Sequence, residues 1–358
     1  YEVGNEVFLP FNTGYSATGD YSYANPDAQN GGDPNWSGRP SSSPDDYADR
    51  AMEYVDAVLA VQPSARFYIP LTQSTWQSWG GPAQSLPVLR DLLERPEVVG
   101  VVSHQYTIDD GLTGHGWEGA QDSWFLSSSD FYRPLYRDLR AMLDSLDRIE
   151  PLELTVTEYL SAALDPMGRL FAGDLALADM WMLYADVGVD LALEHLTLAE
   201  DPSMDTIVRD WHKPFFVESG EVIDRPAFAI TKMIADHTWD DVVRPEATTM
   251  ITARQELRGG GYDYDVVSTV AFVSDDGANA SVLLLNRDLA EPRNAELSVQ
   301  PGDTVIAARG IVPEDLWVET LELSVQAQDV PFKQDGDRVH LTLPPHSFVA
   351  LALTRETP

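Results

Sequence analysis

The sequence predicts an α/β fold: five βα units of a TIM-type (β/α)8 barrel over residues 1–243, then an antiparallel β-sandwich over 244–358. Three observations predict it. Strand-like and helix-like segments alternate five times between residues 1 and 239. The stretch Val98 to Tyr106 is almost continuously apolar and turns polar only at its end, the pattern of a strand buried on both faces of a parallel sheet. Beyond about Val243 the helical periodicity stops, and seven short β runs separated by turn residues follow.

The elements follow in order. Tyr1 to Glu6 is a short strand closing on Gly4-Asn5-Glu6. A polar stretch to Ser43, rich in Gly, Asn, Asp and Pro and carrying Tyr15, Tyr21, Tyr23 and Trp36, reads as a surface loop. Ser43-Pro44-Asp45-Asp46 opens a helix. Serine caps it, proline takes the first helical position, and the acids suit the positive end of the dipole. Tyr47, Ala51, Tyr54, Val55 and Val58 then recur at helical spacing until Pro63. Further strands are expected at 65–71, 98–106, 152–159 and 191–198, and further helices at 83–94, 129–146, 172–187 and 226–239. Gly188 stands where a left-handed helix cap belongs. The expected sandwich strands are 266–273, 281–286, 295–299, 304–308, 321–325, 339–343 and 348–353, with turns at Asp275-Asp276-Gly277 and Asp335-Gly336-Asp337.

Composition narrows the function. The chain has 358 residues, 44% of them hydrophobic, enough for a sizeable core and two domains. Its formal charge is -35, from 58 acidic and 23 basic residues, and Lys213, Lys232 and Lys333 are its only lysines. That balance resembles proteins adapted to high salt, where screening weakens self-repulsion. It disfavours nucleic acid and anionic membrane as partners, and no apolar run is long enough to cross a bilayer. Zero cysteines exclude disulfides, a thiol nucleophile and thiolate-bound metal. Seven histidines show no metal-ligand spacing, so no metal and no cofactor is expected. The acidic pairs Asp109-Asp110 and Asp240-Asp241 read as surface rather than calcium ligands. No signal peptide is visible; the compartment and the oligomeric state stay open.

The chemistry lies at the strand ends. Glu6 closes the first strand and Glu158 lies in the strand 152–159. Two carboxylates at the carboxyl ends of barrel strands are what retaining glycoside hydrolysis requires, one as acid/base and one as nucleophile. Asn5, beside Glu6, is suited to a sugar hydroxyl. His104 and Tyr106 close the apolar strand 98–106, and His195 stands in the strand 191–198 next to Glu194.

These residues carry a family resemblance. Tyr1-Glu2-Val3-Gly4-Asn5-Glu6 resembles the acid/base segment of clan A glycoside hydrolases, especially the family 51 α-L-arabinofuranosidases, in which Gly-Asn-Glu closes the fourth barrel strand. Val101-Val102-Ser103-His104-Gln105-Tyr106 is similar to the sixth-strand segment, and Leu154-Thr155-Val156-Thr157-Glu158-Tyr159 to the seventh-strand nucleophile segment. Ser281 to Asp288 with Leu343 to Ser347 is similar to the sandwich domain that follows the barrel. The resemblance implies Glu6 as acid/base, Glu158 as nucleophile, and Tyr106 as a hydrogen-bond partner of the nucleophile. It implies a carbohydrate substrate and the last five βα units of a barrel, the first three lying outside this sequence. Val7 departs from the Asn-Glu-Pro of many clan A families. Other clan A activities, of β-xylosidase, β-glucuronidase or agarase type, stay open, as does a non-catalytic carbohydrate-binding remnant.

Overall fold

A computed structural model describes residues 1–3, 44–71, 82–106, 124–160, 171–194, 198–199, 215–218, 221–243, 251–255, 261–318 and 325–355. For residues 46, 106, 124–127, 158, 160, 194, 198–199, 215–218 and 221–223 it describes the backbone alone. The chain divides into two compact units. One comprises Tyr1–Gln105, Pro134–Glu158 and Gly188–Leu193; the other comprises Tyr106–Arg133, Tyr159–Val187 and Glu194–Pro358.

The first unit is built on a four-stranded sheet. Helix α1 (Pro44–Val61) leads to β1 (Phe67–Pro70), α2 (Pro82–Leu93) to β2 (Val98–Tyr106), and α3 (Trp124–Asp144), whose residues from Pro134 on belong to this unit, to β3 (Glu153–Leu160); α4 (Phe171–Val187), a helix of the second unit, precedes β4 (Leu191–Glu194) in the chain. The sheet order is β1-β2-β3-β4, the order of the chain, and β1 pairs with β2 in parallel. Glu2 extends the series by a parallel bridge to Tyr68 on β1. The amide of Val3 donates to the Tyr68 carbonyl at 3.0 Å, and the Tyr68 amide to the Tyr1 carbonyl at 2.8 Å. Each strand therefore lies beside its sequence neighbour. A doubly wound sheet reverses direction in mid-sheet; a barrel keeps chain order, and this parallel sheet is consistent with part of one.

Side chains alternate between the two faces of this sheet. One face is covered by helices. The Tyr47 hydroxyl on α1 donates to the Val3 carbonyl at 2.6 Å, and the Tyr136 hydroxyl on α3 lies 3.2 Å from Ser103 Oγ. On that face Val3, Phe67, Ile69, Leu71, Val101, Leu154 and Val156 are buried. On α3, Tyr132, Tyr136, Leu139 and Leu143 form a buried stripe at helical spacing. The opposite face carries Glu2, Tyr68, Gly100, His104, Glu153 and Thr157. Gly100 is needed there. A Cβ at this position would lie 2.7 Å from Tyr68 Cε1 and 2.8 Å from the Glu153 carbonyl oxygen, because the Tyr68 ring crosses β2 to reach Glu153.

In the second unit, α4 and α5 (Pro226–His237) lie against a six-stranded antiparallel sheet. Their core joins Phe171, Leu175, Met182, Ile230 and Ile234 to Phe272, Leu283, Leu285 and Phe348. The sheet order is β15-β14-β18-β12-β11-β8, comprising β8 (Asp241–Val243), β11 (Val267–Val273), β12 (Asn279–Asn286), β14 (Asp303–Ile311), β15 (Gln328–Asp329) and β18 (Phe348–Arg355). A three-stranded sheet of β13 (Arg293–Ser298), β17 (Arg338–Leu343) and β16 (Phe332–Asp335) shares a second core with its other face. Leu297, Val339, Leu341 and Leu343 meet Leu284, Val305, Val349 and Leu351 there. The antiparallel sheets fit a β-sandwich. Leu283, Leu284 and Leu285 are all fully buried because β12 is covered on both faces.

The expected turns form. Gly277 and Gly336 adopt φ of 67° and 61°, and Gly188 closes α4 at 73°, conformations that favour glycine. Several strands carry too little apolar alternation to be read from sequence, among them β8, β15 and β16, and the pair β9 (Thr252–Gln255) and β10 (Tyr262–Asp265). The expected strand 191–198 is shorter. β4 ends at Glu194, and β5 (Leu198–Ala199) instead pairs with β6 (Phe215–Glu218), which forms a hairpin with β7 (Glu221–Asp224). Expected strand residues 321–324 and the acidic pair Asp109-Asp110 lie outside the described residues. Asp240 accepts the Asp275 amide, and no helix among the described residues is long and apolar enough to cross a membrane.

One buried polar group organises the second unit. Arg287 is fully buried and donates to Asp130, Asp179, Ser129 Oγ and the Asp265 carbonyl. Asp179 also accepts the amide and hydroxyl of Ser129, each at 2.9 Å, and Arg133 pairs with Asp130 and Asp186. Burial alone would push the Arg287 guanidinium down, but Asp179 and Asp130 hold it above its ordinary value. Burial would raise the Asp130 carboxyl, yet Arg287 and Arg133 hold it below the usual range. A depressed carboxyl contributes stability that is complete above the ordinary range, about pH 4, and is lost as pH falls through the lowered value.

Two outcomes follow for stability. Arg287→Met, which strands two carboxylates, lowers unfolding free energy by about 3–5 kcal/mol in urea at pH 7, and the deficit narrows below about pH 4. Gly100→Ala costs about 1–3 kcal/mol by overpacking. Unfolding midpoints equal to those of the parent chain would contradict either account.

Candidate active site

The candidate residues of the sequence divide three ways. Asn5, Glu6 and His195 lie outside the described residues, as does the aromatic-rich stretch 11–43. Tyr106 and Glu158 lie on strands β2 and β3, with side chains beyond the description. His104 is described in full, and its surroundings contain groups to which the sequence had attached no role.

His104 points to the face that α1 and α3 leave uncovered, yet only 6% of it is exposed. Its Nε2 lies 3.1 Å from Thr157 Oγ1 on β3. The Thr157 hydroxyl donates to Glu2 Oε2 at 3.4 Å. Glu2 Oε1 stands 3.8 Å from His104 Nε2, an ion-pair separation beyond hydrogen-bond range. Three strands that are distant in sequence thus bring a carboxylate, a hydroxyl and an imidazole together. Glu2 and Thr157 carry a faint signal in the sequence, since each alternates with apolar neighbours on its strand. Nothing in the sequence pairs them.

A second polar contact lies on the same face. The Tyr68 hydroxyl donates to Glu153 Oε2 at 2.5 Å, across Gly100. The hydrogen bond to Glu153, with burial and the nearby charges of Glu153 and Asp190, pushes the Tyr68 phenol up to about 12. In a closed barrel this face is the interior, and side chains near its strand carboxyl ends meet substrate. No group of three or more metal-ligating side chains occurs among the described residues.

Neither a family model nor a curated protein matches the chain in sequence. Solved structures do. A family 51 α-L-arabinofuranosidase from Bifidobacterium longum superimposes with a TM-score of 0.72 and 13% identity, over 88% of this chain and 65% of that one. The fold is that of the family 51 α-L-arabinofuranosidases, over part of their length. The α-L-arabinofuranosidase of Thermotoga maritima, solved as an arabinose complex, gives 0.67 at 13% identity over 88% of this chain and 63% of that one. A family 44 endoglucanase from Clostridium acetobutylium gives 0.60 at 13% identity over 99% and 66%. The chain thus spans less than two thirds of the length of the two arabinofuranosidases. At these identities the likeness to the arabinofuranosidase fold is one of architecture, and it agrees with the chain-ordered parallel sheet and the antiparallel sheets that follow.

The Tyr68–Glu153 contact gives a pH outcome. A phenol whose folded value is raised contributes stability that is complete below the ordinary tyrosine value near 10 and is lost as pH rises through about 12. An ultraviolet titration should show one late-ionising tyrosine that is missing from Tyr68→Phe and shifts to lower pH in Glu153→Gln. A Tyr68→Phe curve that loses only an ordinary component would refute it.

Proposed function

We propose that this chain carries the catalytic carboxylates of a retaining glycoside hydrolase that removes terminal α-L-arabinofuranosyl residues from polysaccharides or oligosaccharides. Glu6 protonates the leaving oxygen, Glu158 attacks the anomeric carbon, and Glu6 then activates water against the glycosyl-enzyme. Asn5, His104, Tyr106 and His195 contact the sugar. Residues 1–243 form the C-terminal part of the catalytic barrel and 244–358 the sandwich. No cofactor enters this chemistry.

The observation that carries the reading is the order of the parallel sheet. Tyr1–Val3, β1, β2, β3 and β4 succeed one another side by side. In the sequence, Asn5-Glu6, His104–Tyr106, Glu158 and His195 stand at or just beyond the carboxyl-terminal parts of four of these strands. Parallel strands aim those ends the same way, and retention needs two carboxyl groups about 5–5.5 Å apart. The fold likeness to two arabinofuranosidases supports the substrate class. The family 44 endoglucanase, matched over 99% of this chain, favours a second reading as an endo-acting hydrolase of β-glucan type.

In a polypeptide carrying this chain, Glu158→Ala abolishes turnover of nitrophenyl α-L-arabinofuranoside. With an activated aryl substrate, azide restores turnover to Glu6→Ala. An unaffected Glu158→Ala rate sinks the assignment. Cleavage of β-glucan with none of the arabinofuranoside selects the second reading, and calorimetric binding of arabino-oligosaccharide without hydrolysis by the parent chain rejects both.

A further inference from the structure

We infer that Glu2 and Thr157 are positioning residues that fix the proton of His104 on Nε2. The inference rests, for its functional consequence, on the reading of His104 as a sugar contact; its structural content stands on the geometry alone.

A threonine hydroxyl has one proton to donate. Here that proton goes to Glu2 Oε2, 3.4 Å away, because an ionised carboxylate only accepts. The Thr157 oxygen is then left to accept, and the group facing it at 3.1 Å is His104 Nε2, which must be the donor. Glu2 cannot do this directly, since its nearer oxygen stands 3.8 Å from the ring nitrogen. The hydroxyl of Thr157 therefore transmits the direction of the hydrogen bond from the carboxylate to the imidazole. In the neutral ring, Nδ1 becomes the acceptor. A histidine with its proton fixed on Nε2 keeps one pattern of donor and acceptor at its two ring nitrogens, and one that exchanges tautomers keeps it only part of the time.

The placement of the three groups on one face adds weight. Glu2, His104 and Thr157 come from the N-terminal segment, β2 and β3. The face they share is the one the helices leave free and whose far side is the hydrophobic core. His104 is nearly buried, so its ring is held by packing as well as by Thr157.

The test labels the histidine rings with nitrogen-15 and reads tautomers by long-range proton–nitrogen correlation, with the His104 signals assigned by their loss in His104→Ala. Wild-type protein shows the Nε2–H form. Thr157→Val and Glu2→Ala convert His104 to a mixture of tautomers, and Thr157→Ser, which keeps the hydroxyl, retains the wild-type pattern. An Nδ1–H form in the wild type, or an unchanged Nε2–H form in Thr157→Val and Glu2→Ala, overturns the inference. Thermal unfolding of each variant verifies that the comparison is made on folded protein. In hydrolysis of nitrophenyl α-L-arabinofuranoside, Thr157→Val raises KM about tenfold with kcat within about twofold, the loss of one oriented hydrogen bond, and Thr157→Ser restores it. Wild-type kinetics in both Thr157→Val and Glu2→Ala would overturn the functional half. If no variant and no parent protein hydrolyses the substrate, the proposed function fails, while the tautomer result still decides this inference.

Discussion

Main-chain pairing between neighbouring parallel strands is the constraint on which the first unit depends. Tyr68 is its hinge point. Its amide and carbonyl bind the N-terminal segment, the next residue of its strand is in register with β2, and its side chain crosses β2 to Glu153 on β3. Because the pairing is parallel and in chain order, every residue two positions further along a strand returns to the same face. That is how Glu2, His104 and Thr157 come to meet, and why Val3, Phe67, Ile69, Val101, Leu154 and Val156 are buried together on the opposite face. A slip of one residue in any pair would send the polar set into the hydrophobic core.

The second unit depends on a different kind of contact. Its six-stranded sheet is apolar on both faces, and dispersion and hydrophobic burial would hold many arrangements of helix on sheet about equally well. The Arg287 network removes that freedom. A buried guanidinium flanked by two carboxylates tolerates little displacement, since any shift leaves a charge unpaired in a medium that solvates it poorly. The network ties the residue after β12 to α3 and α4 at defined positions. Its role is orientation of packed layers more than net stabilisation, the balance expected of buried ion pairs.

Much of this fold is legible in sequence. Pro44, Pro63, Gly188 and Gly277 mark boundaries because each imposes a backbone constraint that needs no tertiary partner. The apolar run Val98 to Val102 declares a strand buried on both sides. The short β8, β15 and β16 do not declare themselves, because they are exposed edges with no buried apolar alternation to mark them. Of the candidate site, the sequence yields His104 by its place at the end of an apolar strand. It gives no reason to connect His104 to Glu2, 102 positions away, or to Thr157, which reads as an ordinary strand threonine.

By itself the sequence determined the alternation of strands and helices, the change to short β-strands in the C-terminal part of the chain, and a set of polar residues at strand ends. These follow from local rules of periodicity, capping and turn geometry. Tertiary structure alone decided which strands are neighbours, and therefore which polar residues share a face. It also decided that Arg287 is a fully buried anchor and not one more surface cation on an acidic chain. Both are matters of non-local pairing. A hydrogen bond from Thr157 to Glu2, or an ion pair from Arg287 to Asp130, has no local propensity to record it and exists only once the chain has closed on itself.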